Sequence, residues 1–307
     1  MRWQGRRQST NIEDRRGQGG FGGFGGMGPG MGMRFPGGSR GGGGVGIIGI
    51  LVIVGIAWLA GINPLELLTS SGGGTLGGST IPMSPGQQSG EVGTPDDDGA
   101  QFIAAVLGDT EDTWTQIFAA GGENYDKPTL VLFTGNTASA CGYASATSGP
   151  FYCPGDRKLY IDLAFYDQLR TEFRAPGDFA EAYVIAHEVG HHVQNLLGTL
   201  PQVDQMRRQS DQARSNELSV RLELQADCYA GIWAHYVDRE GLLEVGDIDE
   251  ALTAAAAVGD DTLQQRTQGY VVPESFNHGT AEQRSSWFKR GYQSGQVDAC
   301  DTFSGAI

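Results

Sequence analysis

The residues with the clearest chemical potential lie in Glu181–Leu197, which reads EAYVIAHEVGHHVQNLL. His187 and His191 are four residues apart, about 40° around a helix axis, so both imidazoles can reach one zinc ion. Glu188 follows the first of them, which sets its carboxylate beside water activated at the metal without making it a ligand. The His-Glu-x-x-His spacing therefore supplies two metal ligands and a general base. A third ligand is expected from Asn216–Glu240, which contains RLELQADCYAG with Glu223 and Asp227 one turn apart on one face. Glu223 completes a His-His-Glu set, and Asp227 is placed to accept the second ring N–H of a ligand and fix its tautomer. Glu217 and His235 are rivals for the third position, but His235 lies about 120° from the Glu223 face. Three protein ligands leave a fourth zinc position for water, which marks a catalytic rather than a structural site. The chemistry expected is hydrolysis of a peptide bond without a covalent intermediate.

Charge that develops on a carbonyl oxygen needs a donor. His278, in SFNHGTAEQR, is the first candidate because it precedes a helix start marked by Thr280 and Gln283 at capping-box spacing. Tyr160, Tyr183 and Tyr292 could serve the same purpose. His192 points about 100° away from His191 and reads as a packing or hydrogen-bonding residue.

These groups must be positioned mainly by helices. Ala180, Val184, Val189 and Val193 give the motif helix an apolar face, and Gly198 with Pro201 is expected to stop it. Helical spacing also marks Ala100–Ala120, Ala164–Phe173, Asn216–Glu240, Asp247–Arg266 and Thr280–Ser294. Thr129–Phe133 and Lys158–Leu163 read as buried strands. The fold class expected is α+β, mainly α-helical, with a small sheet near the start of the domain.

The 307 residues carry a net charge of −15. Seven arginines against Glu13 and Asp14 leave the first forty residues at +5, and the remainder at −20. An acidic body gives no electrostatic reason to bind phosphate polymers, which argues against a nucleic-acid partner. Val45–Ile62 (VGIIGILVIVGIAWLAGI) holds eighteen residues without a charge and reads as a transmembrane helix. Arginines lie only on its N-terminal side, so the positive-inside rule puts Met1–Gly44 in the cytoplasm as a disordered, glycine-rich basic tail. Residues 63–99 read as a flexible linker, and 100–307 as the folded domain outside the membrane, periplasmic or extracellular. The four cysteines, Cys141, Cys153, Cys228 and Cys300, all follow the apolar run. They allow three disulfide pairings, of which Cys141–Cys153 with Cys228–Cys300 is preferred, or four buried thiols.

The chain resembles the neutral zinc metallopeptidase family of bacterial membrane proteins. The segments that carry the likeness are MRWQGRRQSTNIEDRRG, GPFYCPGDRKLYIDLAFY, AHEVGHHVQ, ELQADCYAG and SFNHGTAEQRSSWFKRGYQSG. The resemblance implies a zincin-like catalytic domain with His187 and His191 as zinc ligands, Glu188 as base, and a protein or peptide substrate. Glu223 and Asp227 are also similar to the Glu-x-x-x-Asp pattern of gluzincin peptidases, at a longer separation from His191 than in compact members. A module that keeps zinc only for stability, as a binding scaffold at the membrane, is the alternative; an intact Glu188 argues for the enzyme.

Overall fold

The computed structural model describes residues 1–17, 91–93, 97–145 and 148–307. Its sheet begins at the N-terminus: Ile12–Asp14 (β1) pairs antiparallel with Glu91–Val92 (β2) and parallel with Thr129–Phe133 (β3). The apolar run TLVLF makes β3 the central strand, buried at four of its five positions, as a strand covered on both faces must be. Lys158–Asp162 (β7) lies parallel to it on the other side, and Phe151–Cys153 (β6) closes the order β2-β1-β3-β7-β6 as an antiparallel edge strand. Between β3 and β6 a separate hairpin forms from Asn136–Ser139 (β4) and Gly142–Ser145 (β5).

Helices make up the rest: Asp98–Ala120 (α1), Ala164–Thr171 (α2), Asp178–Leu196 (α3), Thr199–Arg208 (α4), Gln212–Arg239 (α5), Asp247–Ala257 (α6), Asp260–Thr267 (α7) and Ala281–Ser294 (α8). The described residues are therefore α+β and predominantly helical. Asp97 caps α1 by accepting from the Ala100 amide, and Thr280 with Gln283 forms a full capping box on α8. Trp114, Trp233, Phe179 and Phe288 fill the helical core. The closest helix pair is α5 with α8: a Cβ at Gly291 would lie 1.9 Å from the Cys228 carbonyl oxygen, and one at Gly231 2.0 Å from that of Phe288. Reciprocal glycines let the two backbones touch there, and Cys228–Cys300 ties α5 to the residues after α8.

Several boundaries differ from expectation. The single helix expected over Asp247–Arg266 is two, separated at Val258 and Gly259. Pro201 does not stop a helix but sits in the first turn of α4, where its missing N–H leaves no hydrogen bond unmade; Gly198, at φ 80°, makes the break. The disorder expected for residues 1–44 does not hold for the first seventeen, which belong to the same folded unit as the helices. Ile12 is fully buried, and the Met1 ammonium is 2.7 Å from Asp178 at the start of α3. The remainder of the expected tail, the apolar run Val45–Ile62 and most of the expected linker lie outside the described residues. Among the described residues no helix is long and apolar enough to cross a membrane.

Candidate active site

Helix α3 carries His187, Glu188 and His191, and α5 carries Glu223 and Asp227. They meet because Gly190, inside the motif, lies against Ala226: a Cβ there would be 2.9 Å from the Ala226 carbonyl oxygen. Any larger residue would push α3 off α5 one turn from Glu223. With the helices in contact, His187 Nε2 is 3.2 Å from Glu223 Oε2 and His191 Nε2 is 3.5 Å from Glu223 Oε1. One ligand atom from each of the three residues lies within 4.8 Å of the others.

The far sides of both imidazoles are committed. His187 Nδ1 is 2.8 Å from Asp227, and His191 Nδ1 is 2.8 Å from Gln194 Oε1. Gln194 donates its amide N–H groups to the Leu222 carbonyl at 2.7 Å and to Gln225 at 3.1 Å, so only its oxygen is left for His191. That fixes both Nδ1 atoms as donors and turns both Nε2 atoms toward Glu223, the tautomer a metal ligand requires. Two Nε2 atoms and a carboxylate are the donor set of a catalytic zinc site.

Asp227 is fully buried and is held in turn by Arg284 of α8, at 2.8 Å from Nε and 3.0 Å from Nη2, and by the Tyr183 hydroxyl. Burial alone would raise its pKa, but Arg284 and His187 outweigh burial and hold it down as a carboxylate. Burial would likewise depress the His187 imidazolium, yet Asp227 and then Glu223 raise its pKa to about 10. Glu223, against its own burial, is held well below the usual carboxylate range by His191 and His187. A metal ion held there would have to displace the proton on His187 Nε2.

The three residues open onto a cleft of about 510 Å³ that is also lined by Glu188, His278, Tyr183, Phe151, Tyr152 and Leu222. His278 stands on its rim with Nδ1 3.1 Å from Asp260, and Asp260 also accepts the backbone amides of Asn277, His278 and Gly279 at 2.7, 2.7 and 3.0 Å. Of the other groups singled out in the sequence, Tyr160 bonds Asp156, Tyr292 bonds Asp238, His235 bonds the Tyr292 carbonyl, and Glu217 pairs with Arg214 and Arg221; none of them lines the cleft. His192 is a packing residue as expected, buried between the Tyr152 hydroxyl and the Asp126 carbonyl. Both preferred disulfides, Cys141–Cys153 and Cys228–Cys300, are present. A second acidic group among the described residues, Asp178, Asp247 and Glu250, faces the Met1 ammonium through Asp178 and Asp247. Sequence reading missed Arg284 and Gln194. Gln194 lies three residues from His191 on one helix face, a spacing that signals contact, whereas nothing local marks Arg284.

This site is found in a chain whose residues 1–303 match the family described as "Putative neutral zinc metallopeptidase". The chain belongs to that family. It is 47% identical over 310 residues to the uncharacterized protein YpfJ of Escherichia coli, covering all of both chains. It is also 48% identical over 193 residues to the uncharacterized protein Rv2575 of Mycobacterium tuberculosis, covering 59% of this chain and 64% of that one. No solved structure matches.

Proposed function

We propose that the protein is a zinc-dependent peptidase that hydrolyses peptide bonds, with His187, His191 and Glu223 as the zinc ligands and Glu188 as general base. The observation that carries this reading is the convergence of three ligand atoms within 4.8 Å on an open cleft that Glu188 also lines. Zinc, when bound there, supplies Lewis acidity that polarises a carbonyl and acidifies water. Glu188 takes a proton from the attacking water and returns it to the leaving amine. Asp227 and Gln194 hold the two imidazoles by their Nδ1 atoms and aim both Nε2 atoms at the metal position. His278, fixed by Asp260 through Nδ1, is the donor available for the oxyanion, since the Tyr183 hydroxyl already donates to Asp227. Burial would lower the His278 pKa, but Asp260 and Glu223 raise it, which favours the cationic donor.

A peptide substrate is supported by the cleft wall. The edge strand β6 lends Phe151 and Tyr152 to the cleft, and an extended peptide could pair along that edge. Membrane attachment through Val45–Ile62 belongs to the proposal on sequence grounds, as does a location for the peptidase outside the cytoplasm, in keeping with the two disulfides. The test is digestion of unstructured peptides by the zinc-loaded full chain and by Glu188→Gln at equal zinc content. Cleavage by the wild type, with a loss of at least about a hundredfold in the variant, is expected; equal cleavage by both, or none by either, would overturn the enzyme reading.

A further inference from the structure

The N-terminal residues are bound to the rest of the folded unit by three kinds of contact. The first is the sheet: β1 inserts between β2 and the central strand, with Ile12, Glu13 and Asp14 opposite Leu130, Val131 and Leu132. The second is shape. Gly108 on α1 is overlaid by the N-terminal backbone so closely that a Cβ there would lie 2.7 Å from the Arg7 carbonyl oxygen, while the Ser9 amide donates to the Ala104 carbonyl at 2.8 Å. The third is charge. Arg6 reaches Asp109 and Glu240, each at 2.7 Å, Arg7 reaches Glu111 at 3.0 Å and Asp112 at 2.8 Å, and Arg16 pairs with Asp97. Glu111 is 1% exposed and also takes the Ser9 hydroxyl and the Asn11 amide, so this segment supplies all of its partners but Lys127.

Arg6, Arg7 and Arg16 are three of the seven arginines behind the sequence argument for a cytoplasmic tail; in the fold they neutralise acidic residues of the body, so they no longer need a membrane to explain them, and only Arg34 and Arg40, outside the described residues, lie close to the apolar run. Strand pairing and ion pairs act over a few ångströms and cannot bridge a bilayer core of about 30 Å. Both disulfides lie in the unit that holds β1, and disulfides persist in oxidising compartments.

We infer that Met1–Gly17 and the catalytic domain occupy one compartment, outside the cytoplasm. The chain therefore leaves the sheet after Gly17 and returns to it at Glu91 within one compartment. The inference stands independently of peptidase activity. It is tested on the full-length protein produced in Escherichia coli, with single cysteines placed at the exposed positions Thr10 and Gln268 (Thr10→Cys, Gln268→Cys). Spheroplasts are treated with a membrane-impermeant maleimide before and after permeabilisation, with a cytoplasmic protein as control. Both positions should label fully before permeabilisation. Labelling of Gln268→Cys but not Thr10→Cys in sealed spheroplasts would restore the single crossing and overturn the proposal. Labelling of both only after permeabilisation would overturn the compartment assigned.

Discussion

Replacing Asp227 by asparagine tests the scaffold behind the proposed metal ligands. Asparagine keeps the shape of the side chain but removes its charge and turns one acceptor oxygen into a donor. Asp227 accepts from Arg284 at 2.8 and 3.0 Å, from His187 at 2.8 Å and from Tyr183. Arg284 is 4% exposed, and its other partners are the Val258 carbonyl at 3.3 Å, the Tyr183 oxygen at 3.2 Å and Glu223 at 4.0 Å. None of these replaces a carboxylate in contact. Breaking a buried pair in this way costs about 3–5 kcal/mol, a large share of the roughly 5–15 kcal/mol that holds a domain together. With a urea m value of about 2 kcal/mol per molar, the midpoint should fall by roughly 2 M. Because the amide oxygen left facing His187 Nδ1 is uncharged and a weaker acceptor than the carboxylate, zinc affinity should also fall by about 10–100-fold. Urea unfolding followed by circular dichroism, and zinc competition against a chelator at fixed pH, measure the two effects. A midpoint shift under about 0.5 M, with zinc affinity unchanged, would show that Asp227 neither anchors Arg284 nor orients His187.

Other consequences follow from the same contacts. Zinc affinity should climb with pH and level off near 10, because His187, against its burial, has its pKa raised to about 10 by Asp227 and Glu223 and holds a proton below that value that the metal must displace; chelator competition between about pH 6 and 10 checks it, and a flat response would contradict the coupling to Asp227. Asp260→Ala leaves three backbone amides without their acceptor and should cost about 2–3 kcal/mol at pH 7. Burial raises the Asp260 pKa, but His278 and the loop amides hold it below its ordinary value. The stabilisation is therefore present above the unfolded pKa and lost as pH falls through the folded one, so unfolding of wild type and variant should converge in acid. Opening the disulfide across 72 residues, Cys228–Cys300, should destabilise more than opening the one across 12, Cys141–Cys153, by about 4.4 against 2.8 kcal/mol from loop entropy; melting of the two paired-serine variants compares them. Deleting residues 2–17 removes a buried strand and leaves Glu111 with Lys127 alone of its partners, and should lower stability by at least about 3 kcal/mol; an unchanged melting temperature would contradict the placement of β1.

What the sequence made legible was local. His187, Glu188 and His191 stand out because helix geometry puts positions four apart on one face, and Glu223 with Asp227 repeats the logic on a second helix. That the two helices meet at the right height depends on Gly190 against Ala226, a contact between residues 36 positions apart that no periodicity reveals. Arg284 was illegible for a related reason: in sequence it is one more charge on a helix, and only tertiary packing shows it to be 4% exposed against Asp227. β1 was missed because a three-residue strand flanked by arginines carries no alternating pattern, and the glycine-rich stretch that follows dominated the reading of composition. The surplus of +5 at the start against −20 beyond it was the available clue, since opposite charges of that size within one chain can pair with each other as readily as with a membrane.

The central claim is that His187, His191 and Glu223 together hold one zinc ion. Elemental analysis of the purified full chain, alongside His187→Ala and Glu223→Ala variants shown by circular dichroism to be folded, tests it most directly. One zinc per chain in the wild type, with little or none in either variant, is the predicted result. A folded wild type that fails to retain zinc, or a Glu223→Ala variant that keeps its full complement, would contradict it.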